Sequence, residues 1–188
     1  MKGAIRHRRT RPLFDSPDAS GAVISDCGLF RYLLWRVWDP ALPCMVLVML
    51  NPSRADAEAD DRTVVKCMGF AARLGYGSIR IVNLFAYRTP KPEILARDGW
   101  PVGPDNDDFI AAAIAAGSST GARVVCAWGS NGGEPAAVRR VTVLRVIMRT
   151  LRVEPWCLGR AINLHPLHPL YLKYDRPLER LDLAALGG

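Results

Sequence analysis

The sequence predicts an α/β fold, a three-layer α/β/α arrangement in which helices cover both faces of a central, mainly parallel sheet behind an N-terminal antiparallel hairpin. Three observations predict it. Apolar runs of strand length alternate with stretches of helical periodicity in the order strand, helix, strand, helix, strand, helix, strand, the pattern of a buried parallel sheet. An aromatic and β-branched segment precedes them. Polar motifs then fall at the ends of the apolar runs, where the loops of an open α/β sheet converge.

Residues 1–20 combine basic side chains, Pro and Ser with little apolar patterning, so they read as a basic flexible arm, and residues 21–188 as one α/β domain. Ala22 to Ser25 and Phe30 to Trp38 form the hairpin across an Asp26-Cys27-Gly28 turn. Met45 to Leu50 is the first interior strand. Thr63 to Leu74 sets Val64, Cys67, Met68, Ala71 and Leu74 on one helical face, stopped by Gly75 and Gly77. Ser78 to Leu84 is the second interior strand. Asp105 to Ala116 is an alanine-rich helix with acids in its first turn, where they complement the helix dipole. Arg123 to Trp128 is a strand, Gly129 to Gly133 a turn, and Pro135 to Leu151 a helix with Pro near its first position and Val138, Val141, Leu144, Val146 and Met148 along it. Pro155 to Leu158 closes the order as a short strand.

Composition excludes several classes. The run Cys44 to Leu50 is bounded by Pro43 and Asn51 and is too short to cross a bilayer, and the basic amino terminus leads into no apolar stretch of a secretory signal. A cytoplasmic protein without membrane contact is expected. The five cysteines, Cys27, Cys44, Cys67, Cys126 and Cys157, are scattered and offer no close pair, which reads as buried thiols rather than a metal centre. Neither metal nor cofactor is expected. A net charge of +7, with Arg6, Arg8, Arg9 and Arg11 in one cluster and Arg139, Arg140, Arg145 and Arg149 in another, suits a polyanion partner or equally a solvated basic surface.

Asn51-Pro52-Ser53 either breaks the strand as a turn and helix cap or presents a rigid amide that orients a water or carbonyl. Asp56, Asp60 and Asp61 are a solvated helix start or a source of a general base. Asn83 interrupts the apolar run IRIVNLF, so its amide needs partners, or a ligand such as the edge of a nucleobase. His165 and His168, each followed by Pro, lie on a stiff loop, as packing groups or as a neutral donor to a developing oxyanion.

YLLWRVW, MLNPSRADAEADDRT, GFAARLGYG, VNLFAYRT, PVGPDND, CAWG and HPLHPLYL, in that order over roughly residues 29 to 172, resemble a bacterial family, domain of unknown function 1643. A weaker resemblance is to the uracil-DNA glycosylase superfamily, an α/β/α fold around a parallel sheet. There MLNPS is similar to the motif that ends the first strand, VNLF to the base-reading pair, VVCAWG to a later strand, and HPL to the last motif. The chain departs from that pattern at Met49 and Leu50, which replace a Gly, and at Leu170, which replaces a Ser.

That resemblance implies a monofunctional DNA glycosylase that flips its target base. Asn51, Asp60, Asp61 and His168 would be catalytic, with His165 as a rival for the motif histidine. Ser53, Asn83, Phe85 and Tyr87 would contact the base, and Arg54, Arg88, Ser130 and Asn131 the phosphates. The partner would be DNA, single- or double-stranded, bound by a monomer. Ser53 stands where the uracil-specific branch has a ring that blocks a 5-substituent, which points to a 5-modified pyrimidine, such as glucosylated hydroxymethylcytosine of phage DNA. Tyr32, Trp35 or Tyr87 could instead fill that space. A non-catalytic nucleic-acid or nucleotide-binding module, and a nucleoside hydrolase or deoxyribosyltransferase, are the other functions these residues suit.

Overall fold

A computed structural model describes residues 19–118 and 121–186. The arm expected over residues 1–20 lies almost wholly outside the described residues, as do Arg6, Arg8, Arg9 and Arg11. The described residues form an α/β structure with a seven-stranded mixed sheet and four α-helices. The strands are β1 (Ser20–Ile24), β2 (Arg31–Val37), β3 (Cys44–Met49), β4 (Ser78–Asn83), β5 (Val124–Cys126), β6 (Pro155–Cys157) and β7 (Glu179–Arg180). The helices are α1 (Arg62–Arg73), α2 (Pro92–Arg97), α3 (Asn106–Ser118) and α4 (Pro135–Thr150). Among the described residues no helix is long and apolar enough to cross a membrane.

The sheet order is β1-β2-β4-β3-β5-β6-β7. Its centre, β4-β3-β5-β6, is parallel, while the β1–β2 hairpin joins antiparallel through β2 to β4, and β7 closes the other side antiparallel to β6. The short β7 and helix α2 were not foreseen, each giving only two or six residues of pattern to read. The expected turn at Gly129 to Gly133 is a 3-10 turn over Ser130–Gly133.

Side-chain alternation along β3 builds the two faces. Val46, Val48 and Leu50 join a core with α3 and α4, whereas Met45, Leu47 and Met49 join another with α1, because successive strand residues point to opposite sides. Helix α1 buries Val64, Cys67, Phe70 and Ala71. On α4 the buried set is Ala136, Ala137, Arg140, Val141, Leu144 and Met148, and Val146 is exposed. Its position in the helix turns it from the sheet. Four cysteines are buried as expected, but Cys27 is exposed, because the hairpin turn that carries it projects from the sheet.

The chain runs from β3 to β4 on one side and later returns to β5 on the other. The switch between these directions leaves a crevice beyond the carboxyl ends of β3 and β5, the usual place for a ligand in such sheets. Because β2 runs antiparallel to β4, its first residue, Arg31, reaches the same rim. The loop into α1 is pinned on this rim. Arg36, buried on β2, pairs with Asp60 at 2.7 Å and donates to the carbonyl of Asp56 at 2.7 Å, and Asp61 Oδ1 caps α1 by accepting from the backbone N–H groups of Thr63 and Val64, each at 2.9 Å.

Asp61→Ala is expected to cost about 1 kcal/mol through loss of this cap, seen as a fall in Tm of about 2–4 °C. Asp61→Asn, which keeps a capping oxygen, is expected to melt close to the wild type.

Candidate active site

An open cleft of about 540 Å³ lies at the rim, within the size range of small-molecule sites. Asn51, Ser53, Asp61, Asn83, Ser130, Asn131 and His168 all line it. The register explains the gathering: Met49 stands beside Asn83 across β3 and β4, and Val48 beside Cys126 across β3 and β5, so residues just past each strand end meet.

The backbone fixes each polar group. Asn51 donates through Nδ2 to the carbonyls of Thr89 at 2.8 Å and Pro52 at 3.0 Å. Both donors of the amide are thereby engaged, and among the described residues no donor meets its Oδ1. Asn83 is buried, and its Oδ1 accepts a long bond from Arg31 Nη2 at 3.5 Å, which leaves Nδ2 with no acceptor among the described residues. His168 Nδ1 accepts from the backbone N–H of Leu170 at 3.3 Å. A neutral ring that accepts at Nδ1 carries its proton on Nε2 and can donate from there. Burial pushes the His168 pKa below its ordinary value, with the charge of Asp61 opposing the shift, so at neutral pH the ring is that uncharged donor.

Gly129 joins two walls of the cleft. Its φ of 81° belongs to glycine, its N–H donates to the carbonyl of Pro166 at 3.0 Å, and a Cβ there would stand 3.3 Å from His168 Cβ. The loop after β5 therefore packs directly on the loop that carries the histidine.

Other expected site residues lie elsewhere. Asp60 is held by Arg36 and does not line the cleft. Phe85 is buried against Trp100, ring centroids 5.1 Å apart, where no base can stack on it. Tyr87 donates its hydroxyl to Asp98 Oδ2 at 2.9 Å. His165 is buried and accepts from Trp128 Nε1 at 3.2 Å through Nδ1, behind the cleft wall, so of the two histidines only His168 faces the cavity. Arg88 donates to the carbonyl of Gly28 at 3.1 Å, and Arg54 is exposed beside Ser53. Of the second arginine cluster, Arg140 is buried, donating to the carbonyl of Leu84 at 2.9 Å and pairing with Asp107, so it is not free for a polyanion. Asp56 closes its own turn by accepting from the N–H groups of Glu58 and Ala59 at 3.0 and 2.9 Å.

The structure adds lining residues that the sequence did not single out, chiefly Arg31, Thr63, Thr89, Trp128 and Tyr171. Arg31 and Trp128 sit in strand-like runs where nothing local marks a ligand site. Tyr171 is 83% exposed at the mouth, its ring centroid 6.0 Å from that of His168. A large exposed aromatic after H-P-L-H-P was the available signal. Among the described residues no three His, Cys, Asp or Glu side chains gather as a metal cluster.

Fold and site define an α/β protein with a largely apolar cleft, set with a few polar side chains, at the switch point of its parallel strands. The chain belongs to the family described as Protein of unknown function (DUF1643), which it matches over residues 31–170. No curated protein and no solved structure matched it.

Burial also lowers the pKa of His165. For both histidines the unfolded chain, near the ordinary value of about 6.5, binds a proton more readily than the folded one. Their contribution to stability is therefore full above about pH 6.5 and is lost as pH falls from there through the folded-state values. Thermal melts are expected to show a lower Tm at pH 5 than at pH 7, and His165→Gln, which retains an acceptor for Trp128 but does not titrate, is expected to shrink that difference.

Proposed function

We propose that the protein hydrolyses the N-glycosidic bond of a nucleotide whose base is extruded from DNA into the cleft. One observation carries the reading: an unengaged amide oxygen on Asn51, an Nε2 donor on His168 and a free amide nitrogen on Asn83 line a single cleft. Bond breaking of this kind leaves an oxocarbenium-like sugar and an anionic base, so a site needs a held water, a donor to the base and a reader of its edge. Asn51 Oδ1 orients the water. The Asp61 carboxylate, whose Oδ1 alone is committed to the helix cap, receives its proton. His168 donates to the departing base, Asn83 reads its edge, and Tyr171 offers a ring for stacking. Helices on both faces of the sheet support the three-layer, uracil-DNA glycosylase-like form of the fold.

Exposed Arg54, Arg62 and Lys91 neighbour the lining residues Ser53, Thr63 and Pro90 in sequence, a distribution that suits phosphates on either side of a flipped nucleotide. Ser53 lines the cleft while Tyr32, Trp35 and Tyr87, the rings that could replace the blocking one, do not, which favours a base with a bulky 5-substituent. The substrate we assign is a 5-modified pyrimidine, with hydroxymethylated or glucosylated cytosine of phage DNA as the candidate, which would make the protein a cytoplasmic antiviral factor. The commitment of Asp60 to Arg36, and of Asp61 Oδ1 to the cap, favours a second reading in which the cleft binds a nucleotide without chemistry.

The test is base release, followed by mass spectrometry, from modified and unmodified oligonucleotides with EDTA present. Release without metal is expected. Asn51→Ala and His168→Ala should each lower the rate about 10²–10³-fold, and Asp61→Asn should slow release without lowering Tm. Strand cleavage that requires magnesium would sink the proposal in favour of a nuclease, and tight binding with no release from any DNA would favour the binding module.

Ser53→Tyr separately tests the substrate. It is expected to abolish release of glucosylated bases, whose fit depends on open space. Rapid release of uracil, together with none from 5-modified DNA, would be incompatible with that assignment.

A further inference from the structure

Arg31 is the charged cleft residue to which the reaction above gives no task. Three arginines are buried among the described residues: Arg31, Arg36 and Arg140. Arg36 has Asp60 and Arg140 has Asp107 as counter-ion. Arg31, 3% exposed, has no ion pair among the described residues. Of the five N–H groups of a guanidinium, only two meet acceptors: Nη1 donates to the carbonyl of Ala55 at 2.9 Å and Nη2 to Asn83 Oδ1 at 3.5 Å. Nε is buried with no partner. A buried charge without a counter-ion is strongly destabilising, and here it stands at the wall of an open cleft.

We propose that Arg31, together with Nδ2 of Asn83, is the receptor for a negatively charged ring oxygen of a bound pyrimidine. Because Arg31 engages the Asn83 oxygen, the amide turns its nitrogen outward, and the pair offers donors only. Such a surface favours ring acceptors, the O2 and N3 of a cytosine or the same atoms of an ionised pyrimidine, over a ring N–H turned toward it. Its catalytic half rests on the glycosylase reading. When the bond from C1′ to the base nitrogen breaks, its electron pair passes into the ring and onto the oxygen facing Arg31. Water adds to C1′, its proton goes to Asp61, and that proton is returned to the base as it leaves.

The charge on Arg31 is secure at working pH. Burial pulls its pKa down to about 10; the charge of Asp61, and less that of Asp56, favours the cation, and Arg88 and Arg36 oppose it. His168, the other titrating group of the cleft, is held neutral by burial.

The test is calorimetric titration of the full chain at pH 8 with 5-nitrouracil, ionised at that pH, and with uracil, which is neutral there. The wild type is expected to prefer the anion by at least about tenfold, the worth of one charged hydrogen bond. Arg31→Gln should erase the preference and Arg31→Lys should keep part of it. The Lys variant decides the matter if circular dichroism shows the Gln protein unfolded. A preference equal in the wild type and the folded variants, or no binding of either pyrimidine, overturns the inference. An anion preference that depends on Arg31, with no base released from any DNA, supports the receptor and overturns the glycosylase reading alone.

Discussion

Backbone carbonyls at the end of β4 lie where water does not reach, and the molecule depends on satisfying them. Asn106, fully buried at the start of α3, donates through Nδ2 to the carbonyls of Asn83 at 2.9 Å and Leu84 at 3.2 Å. Arg140 of α4 donates to the same Leu84 carbonyl at 2.9 Å. An orphaned buried carbonyl would cost on the order of 1–3 kcal/mol, so two helices are tied to one strand end by a polar requirement as well as by apolar packing. The chain beyond β4 also stays bound to the chain beyond β3, with Leu84 and Phe85 donating to the carbonyls of Met49 and Leu50 at 2.8 and 2.9 Å. The Asn51 and Asn83 side chains are held at one rim for this reason.

The loop into α1 shows how one arginine can organise a site without entering it. Arg36 meets the Asp60 carboxylate and the carbonyls of Asp56, Trp35 and Gly21. That network fixes the loop at Asp56 and Asp60, on both sides of Glu58 and Ala59, and Asp61, which follows Asp60, is then presented to the cleft while it caps the helix. A carboxylate in a cap is held in orientation by two N–H groups, which is how a short acidic side chain on a loop gains a defined direction.

Much of this was legible in the sequence where a residue broke its local pattern. Asn83 stands out because an amide inside IRIVNLF is costly to bury without partners, and Asn51 because Asn-Pro ends an apolar run. The strand and helix order followed from the period of the apolar residues, and the β1–β2 hairpin from its turn. Asp60 and Asp61 could not be told apart, since adjacent residues in a loop share every local signal, and only Arg36, 24 residues earlier in the chain, separates them. Phe85 and Tyr87 looked available because the strand was expected to end in an open loop. The chain instead passes under Trp100 and past Asp98. Arg31 gave no sign at all, because an arginine at the start of an aromatic strand is the ordinary pattern of an edge exposed to water.

Arg31, Asn51, Asn83, Trp128 and His168 come from five separate stretches of the chain, spread from β2 to the loop beyond β6. No proteolytic fragment lacking either end of that span can carry the cleft, and during synthesis it is completed only after His168 has left the ribosome. Insertions between these stretches, by contrast, leave each strand end in place. The connection between α3 and β5 supplies none of the five and does not line the cleft, so it is a natural point at which to graft a tag or a second domain while leaving the cleft whole.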